Sequence, residues 1–331
     1  VRLGAGLLIA VAAGAAAAGW WLPAGVALAG ILAWCAARPA PVPERAEPLV
    51  GGARYAVRLA VVPVYASVFG AYLVPGHRAF AAVAFVLVVT VASTFGVALP
   101  RFLRAWVLGI LLVVGAGLIA LCLAISPERG TGGGPGATGM FAAGAALFPL
   151  LYRREAKVNW WLAGSVGAAL VVCGVALYQL GPVRLGLSGV PLRDLLAAVD
   201  GQPIEPLLAG VAVIATVSAA LGAFRETRGD LPPVAGGLAA AVGAALLDPV
   251  RALLLAAAIA LAEVLISSLL TLSMRRRDVR AVLGAAFAIT LLAWLPPLYL
   301  LLAVAVIAVA VVARRSTGTR AGSAPRPRPP E

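Results

Sequence analysis

The sequence predicts an all-α integral membrane protein, and three observations carry that prediction. Apolar residues make up 62% of the chain and charged residues 12%, with a mean hydropathy of +1.02, far from the quarter-charged composition of soluble domains. The apolar residues fall into about twelve successive runs of roughly 14–23 residues between Leu3 and Ala313, each near the length that crosses a bilayer core as a helix. The connections between those runs alternate in charge. With the N-terminus in the cytoplasm, one set holds 21 of the 26 basic residues, among them Arg54, Arg58, Arg153, Arg154, Lys157, Arg276, Arg314 and Arg315. The other set holds only Arg78, Arg129, Arg184, Arg193 and Arg251. Bias of this size orients the chain, so the expectation is a multi-pass protein of the cytoplasmic (inner) membrane with both termini in the cytoplasm.

The expected crossings are residues 3–19, 21–37, 56–74, 79–99, 105–126, 138–152, 158–180, 205–224, 234–247, 251–273, 279–295 and 297–313. Each must be a helix, broken only where it faces protein or water, because an unsatisfied backbone group is costly in lipid. Trp20-Trp21-Leu22-Pro23 supplies interfacial aromatics and a helix-starting proline between the first two crossings. Runs 138–152 and 234–247 are short for a full span and call for tilting, local thinning or a broken helix. Arg2, the apolar stretch after it and the small residues near Ala16–Gly19 also fit a signal peptide. Removing that segment would break the charge alternation, so it is read as the first crossing.

Three connections are long enough to carry structure: the Pro-rich, cytoplasmic 38–55, the Gly-rich, external 127–137 and the larger external 181–204. Residues 1–313 therefore read as one polytopic domain, and 314–331 as a basic, Pro-rich, disordered cytoplasmic tail.

A net charge of +13 would suggest nucleic acid in a soluble protein. Here the charges are short clusters that anchor helix ends at anionic headgroups, so the expected partner is membrane lipid and not nucleic acid. Cys35, Cys122 and Cys173 lie inside apolar runs without paired spacing, and His77 is the single histidine. No metal site or cofactor is expected from them. No nucleophile–base pair or phosphate-binding loop with its lysine stands out, so the chain does not read as an enzyme.

The order of short motifs resembles the amino acid–polyamine–organocation (APC) superfamily of permeases over nearly the whole chain. Gly4-Ala5-Gly6-Leu7-Leu8 is similar to the Gly-x-Gly-Ile-Phe segment of that family's broken first helix. Gly51-Gly52-Ala53-Arg54-Tyr55 resembles Gly-Gly-x-Tyr with one residue extra, and Arg154-Glu155-Ala156-Lys157-Val158-Asn159 resembles Glu-x-x-Asn-Pro. Ser188-Gly189-Val190-Pro191-Leu192 resembles the external Ser-x-x-Pro-Leu, and Arg228-Gly229-Asp230-Leu231-Pro232 a shortened cytoplasmic Arg-Asp-Gly-x-Leu-Pro with Gly and Asp exchanged. The sixth crossing departs from the family, reading Ala145-Ala146-Leu147-Phe148-Pro149-Leu150-Leu151 in place of Phe-x-Gly-Phe-Glu.

The resemblance implies a LeuT-type fold: five helices, five more in inverted orientation, then two C-terminal helices, with substrate near the midplane. It implies a secondary transporter of amino acids or related organic cations, driven by H+, Na+ or an exchanged substrate. A helix broken at membrane depth presents N–H groups to a carboxylate and carbonyls to an ammonium. Gly4, Ala5 and Gly6 in the first crossing and Gly144 and Phe148 in the sixth are therefore the substrate-binding candidates. Gly4 and Gly6 could equally serve helix packing. Ser218 could line the cavity or bond back to the carbonyl four residues earlier.

Glu263 is the one acid well inside an apolar run. An ionisable residue is expensive at that depth, which makes it the proton-coupling candidate. Ser267, one turn on, offers a structural alternative as a hydrogen-bond partner. The missing sixth-helix motif and the short runs leave open a second class of function, a degenerate permease-like scaffold or subunit without transport. The orientation is directly checkable. A cysteine placed at Arg276 should react with an impermeant thiol reagent only after cells are permeabilised, and labelling of intact cells would reverse the topology.

Overall fold

The computed structural model describes residues 2–37, 43–97, 100–125, 136–152, 159–198, 205–227, 233–274 and 278–322. Among these residues the regular structure is helical, without a strand. The helices are α1 (Arg2–Ala18), α2 (Leu22–Ala36), α3 (Glu47–Leu73), α4 (Arg78–Thr94), α5 (Arg101–Ala124) and α6 (Gly139–Leu151). They continue as α7 (Asn159–Leu187), α8 (Pro191–Ala198), α9 (Glu205–Glu226), α10 (Pro233–Leu246), α11 (Pro249–Met274), α12 (Val279–Ala293) and α13 (Pro297–Gly322). Eight stretches are long and apolar enough to cross a membrane, the first of them, Leu3–Ala36, joining α1 and α2. α6, α10 and α12 are apolar but shorter. The protein is a multi-pass, all-α membrane bundle.

Several boundaries differ from the sequence expectation, each for a local reason. α3 begins at Glu47 and not near residue 56, because Pro48 fits the first turn and Glu47 complements the positive helix end. The second half of the expected connection 38–55 is therefore helix, and Arg54 lies inside it. α7 runs past residue 180, turning at Gly181, whose φ of 68° is open to glycine at little cost. The connection after it holds the short helix α8. α13 continues to Gly322, so the first half of the expected disordered tail is helical, and 323–331 lie outside the described residues.

The helix breaks expected near residues 4–6 and within 138–149 are not there. α1 is continuous from Arg2, and α6 is continuous to Leu151 even with Pro149 in its last turn. The glycines serve packing. α6 lies in the cleft of the α1–α2 hairpin, which turns at Gly19 (φ 56°) and exposes Trp20 and Trp21. A Cβ on Gly139 would stand 1.9 Å from the Ala17 carbonyl oxygen, and one on Gly25 would stand 2.9 Å from that of Met140. One on Gly6 would strike the Leu150 side chain at 2.2 Å. These pairings make α6 antiparallel to α1 and let three backbones meet with almost no side chain between them. Dispersion over such close contacts is the main helix–helix attraction available in lipid.

Around this core, α3 packs on α4, α9, α11 and α13, while α10 packs on α4 and α12 on α11. Gly51 and Gly52 seat α13: a Cβ on Gly52 would lie 2.9 Å from the Val311 backbone. α5 turns most of its surface outward, with Phe102, Trp106 and Val113 exposed where lipid chains would lie.

The packing argument yields a contrast. Gly139→Ala meets a rigid carbonyl and should destabilise the protein by about 1–3 kcal/mol, the usual cost of overpacking. Gly164→Ala, on α7 with nothing within 4 Å of the new methyl, should be neutral or stabilise by up to about 1 kcal/mol through helix propensity. Thermal unfolding in detergent measures both, and equal effects would refute the seat.

Candidate functional site

The most unusual chemistry in the bundle is built around Glu263. The residue sits mid-way along α11 with 1% of its side chain exposed. It lies eleven residues before Met274, or about 16 Å along the helix axis. Two hydroxyl donors and one guanidinium converge on it. Ser267, one turn along the same helix, donates its hydroxyl to Oε1 at 3.1 Å. The Tyr152 hydroxyl donates to Oε2. Arg54 of α3 brings its Nε to 4.0 Å from Oε1.

Each donor is placed by a feature of its own helix. Tyr152 is the residue at which α6 ends, with its amide still bonded to the Phe148 carbonyl at 2.9 Å. α6 has 13 residues, about 20 Å, against a hydrocarbon core of about 30 Å, so it stops inside the bundle. The Phe148 ring stacks on Tyr152 with centroids 5.1 Å apart and fixes the direction of the phenol. Arg54 reaches Glu263 because α3 starts early enough to carry it in as a helical residue. One turn further on, Arg58 pairs with Glu226 at the end of α9, Nε to Oε2 3.6 Å, and also donates to the Glu226 carbonyl. α3 thus holds α11 with one arginine and α9 with the next.

A carboxylate is acceptor-only when ionised and can take several donors at once. Removing one partner from such a buried group leaves the rest with an uncompensated charge. The arrangement can hold three helices in register, and it can exchange partners if Arg54 withdraws, leaving Glu263 open to a proton or another cation.

The other sequence candidates are not brought to this cluster as a substrate cradle. Gly4, Ala5 and Gly6 lie on an unbroken helix; Ala5 is fully buried and Gly4 abuts Leu111 of α5. Gly144 faces the Gly25 carbonyl, 3.1 Å from where its Cβ would be. Phe148 is fully buried and so not a lipid-facing side chain. Ser218 is half-buried on α9, where Thr216 is the hydroxyl that bonds back four residues, to Ala212 at 2.7 Å. The residues that sequence reasoning missed are Arg54 and Tyr152. The Arg54/Arg58 spacing of four was visible and would have placed two cations on one helix face, had the helix start at Glu47 been recognised. No family model matches the chain, and no curated protein matches it in sequence.

The cluster makes a thermodynamic prediction. Arg54→Gln should cost about 2–3 kcal/mol, somewhat less than for a fully buried pair because Arg54 keeps some solvent. Adding Glu263→Gln should recover part of that loss, giving a coupling of at least about 1 kcal/mol in a double-mutant cycle. Strict additivity would mean that the two side chains do not act on each other.

Proposed function

We propose that the protein is a secondary transporter of amino acids or related organic cations, working by alternating access, with the Glu263 cluster as its lock and coupling centre. The observation that carries the reading is a carboxylate at membrane depth, held by donors from three helices. Ionisable groups kept at that depth mark ion or substrate pathways far more often than they mark stability. The motif order resembling amino acid permeases supplies the substrate class.

The packing pattern supports a LeuT-type 5+5 inverted repeat with two added helices. Take α1 to α5 as one half, and α6, α7, α9, α10 and α11 as the other. Counterparts touch each other: α1 with α6, α2 with α7, α3 with α9 and α4 with α10. Cross-contacts also come in exchanged pairs, α2 on α6 with α1 on α7, and α3 on α10 with α4 on α9. A two-fold relation between halves generates such pairs. The relation is incomplete: α1 packs on α9 without an equal contact of α6 on α3, and α11 packs broadly on α3 and carries Glu263, whereas α5 faces mostly outward.

In this reading Arg54 neutralises Glu263 while the cytoplasmic half is closed. Opening separates α3 from α11, and a proton or Na+ then replaces the guanidinium as the counter-charge. A second reading, a permease-like scaffold without transport, is favoured by the unbroken α1 and α6 and their close-packed glycines.

Uptake of a labelled amino acid panel into proteoliposomes, under imposed pH or Na+ gradients, separates the two readings. Accumulation of at least one substrate is expected. Glu263→Gln keeps the hydrogen-bonding shape and should abolish gradient-driven accumulation while sparing exchange. Absence of both accumulation and exchange across the panel would favour the scaffold.

A further inference from the structure

An open groove runs along α5, the least covered of the eight candidate crossings. It encloses about 530 Å3, and its lining includes Phe102, Ala105, Trp106, Gly109, Ile110 and Val113. Those positions recur every three or four residues and so form one stripe of the helix. Ala105 and Gly109 make the low point: a Cβ on Gly109 would meet nothing within 4 Å. Large side chains stand before and after it, Phe102 and Trp106 at 72% and 58% exposure and Val113 at 73%. Phe102 and Trp106 brace each other edge to face, with ring centroids 5.9 Å apart.

The stripe changes character along its length in the order in which a phospholipid does. Arg101 and Arg104 occupy the first turn of α5, and Arg101 heads the i, i+4 row that continues through Ala105 and Gly109. Trp106 lies five residues beyond Arg101, about 8 Å along the axis. An indole favours the headgroup boundary, where its N–H finds polar partners. From Trp106 to Val114 the lining is apolar over about 12 Å.

α7 gives an independent check of the level. It packs beside α5, and its Gln179 donates to the Ile125 carbonyl at the end of α5 at 2.8 Å. Trp160 lies 19 residues before Gln179, and Trp106 lies 19 residues before Ile125. Two helices running in the same direction therefore carry these indoles at one depth. Trp160 is 90% exposed and Trp161 65%, as residues of an interfacial aromatic belt are.

The charge at the polar end is of one sign. α5 contains two arginines and no acidic residue, and its amino end, with Pro100 as a cap that offers no side-chain bond, adds the positive pole of the helix. A phosphodiester is attracted there, whereas the ammonium of a choline or ethanolamine headgroup is repelled. A chain lying in the notch gains dispersion contacts on several sides, which a convex helix surface cannot give it.

We propose that this face of α5 binds one anionic, amine-free phospholipid of the phosphatidylglycerol class. Its phosphate lies at the level of Arg101 and Arg104, its ester carbonyls at the level of Trp106, and one acyl chain in the groove over Gly109. The proposal is independent of whether the protein transports anything.

The full chain, purified in maltoside, would be titrated with phosphatidylglycerol or phosphatidylcholine carrying brominated chains, and tryptophan quenching recorded. Seven tryptophans contribute, so the same titration of Trp106→Phe is subtracted to isolate Trp106. Phosphatidylglycerol should reach half-quenching of Trp106 at a concentration at least about tenfold below that of phosphatidylcholine, given the attraction that two arginines exert on an anionic headgroup. Gly109→Leu fills the notch with a good helix former in open space. It should abolish quenching at that low phosphatidylglycerol concentration and leave the thermal midpoint in place. Arg101→Gln with Arg104→Gln should remove the difference between the lipids while leaving quenching by phosphatidylcholine unchanged.

Equal half-quenching concentrations for the two lipids overturn the headgroup site. Because that comparison needs only Trp106→Phe, failure of the other variants to fold would not rescue the proposal. Persistence of the low-concentration quenching in Gly109→Leu overturns the acyl notch. Quenching by neither lipid, in a particle with the protein mass of two chains by light scattering, would place a second copy on this face and overturn the proposal as well.

Discussion

The bundle depends on how deeply α6 sinks into the cleft between α1 and α2. That contact is made by backbone and methyl groups: Gly139 on Ala17, Gly25 on Met140, Gly144 on Gly25. In lipid there is no hydrophobic drive to press helices together, so the association energy has to come from closeness itself. A single methyl at Gly139 would meet a carbonyl oxygen held in the hydrogen-bond ladder of α1, which cannot move aside as a side chain can. The same closeness dictates where α6 ends. The helix is short, its last turn is buried, and its terminal Tyr152 is left at a depth where a phenol needs a partner.

Glu263 is that partner, and the rest of the site follows from its cost. A carboxylate in the bundle interior is tolerated only if donors replace the water it has lost. Ser267 comes from the next turn of the same helix, Tyr152 from the end of α6, and Arg54 from α3. The result ties the sixth apolar run to the third and the tenth, helices that the sequence separates by about a hundred residues each way. An ordinary hydrophobic core would hold these helices together without a charge. The charge adds the capacity to let go, because an ion pair can be replaced by another cation while a packed leucine cannot be replaced by anything in solution.

Much of the architecture was legible in the sequence because lipid simplifies the code. Apolar run lengths placed most of the helices to within a few residues, and the Ser267–Glu263 bond followed from helical spacing alone. The errors have a common physical origin. α3 and α13 were read as ending where apolarity ends, yet a helix ends where its backbone bonds end, and Glu47–Arg54 and Arg314–Gly322 continue those bonds through polar residues. That mistake hid Arg54, the counter-charge of the one buried acid. The glycines at 4, 6 and 144 offered both backbone freedom and small volume, and the small volume is what the structure uses. Sequence spacing cannot distinguish the two, since the same missing Cβ serves both.

The two ends of α3 set the mechanics of any alternating-access cycle. At one end Arg54 and Arg58 hold α11 and α9; at the other Tyr72 holds α1. These attachments differ in kind. The Arg58–Glu226 pair has both side chains about a third exposed, so water can replace each partner as they part, and pairs of that kind contribute about 0–1 kcal/mol. The Glu263 carboxylate is shut away from water and cannot be released without a substitute charge. The Tyr72–Leu8 bond is neutral and buried, so its release needs only another hydrogen-bonding group in place of the phenol. Under the proposed function, the inner end therefore opens in response to a cation and the outer end in response to an uncharged rearrangement. Release by a cation at one end and by a neutral rearrangement at the other then follows, under that proposal, from where the chain placed its few polar side chains along a single 27-residue helix.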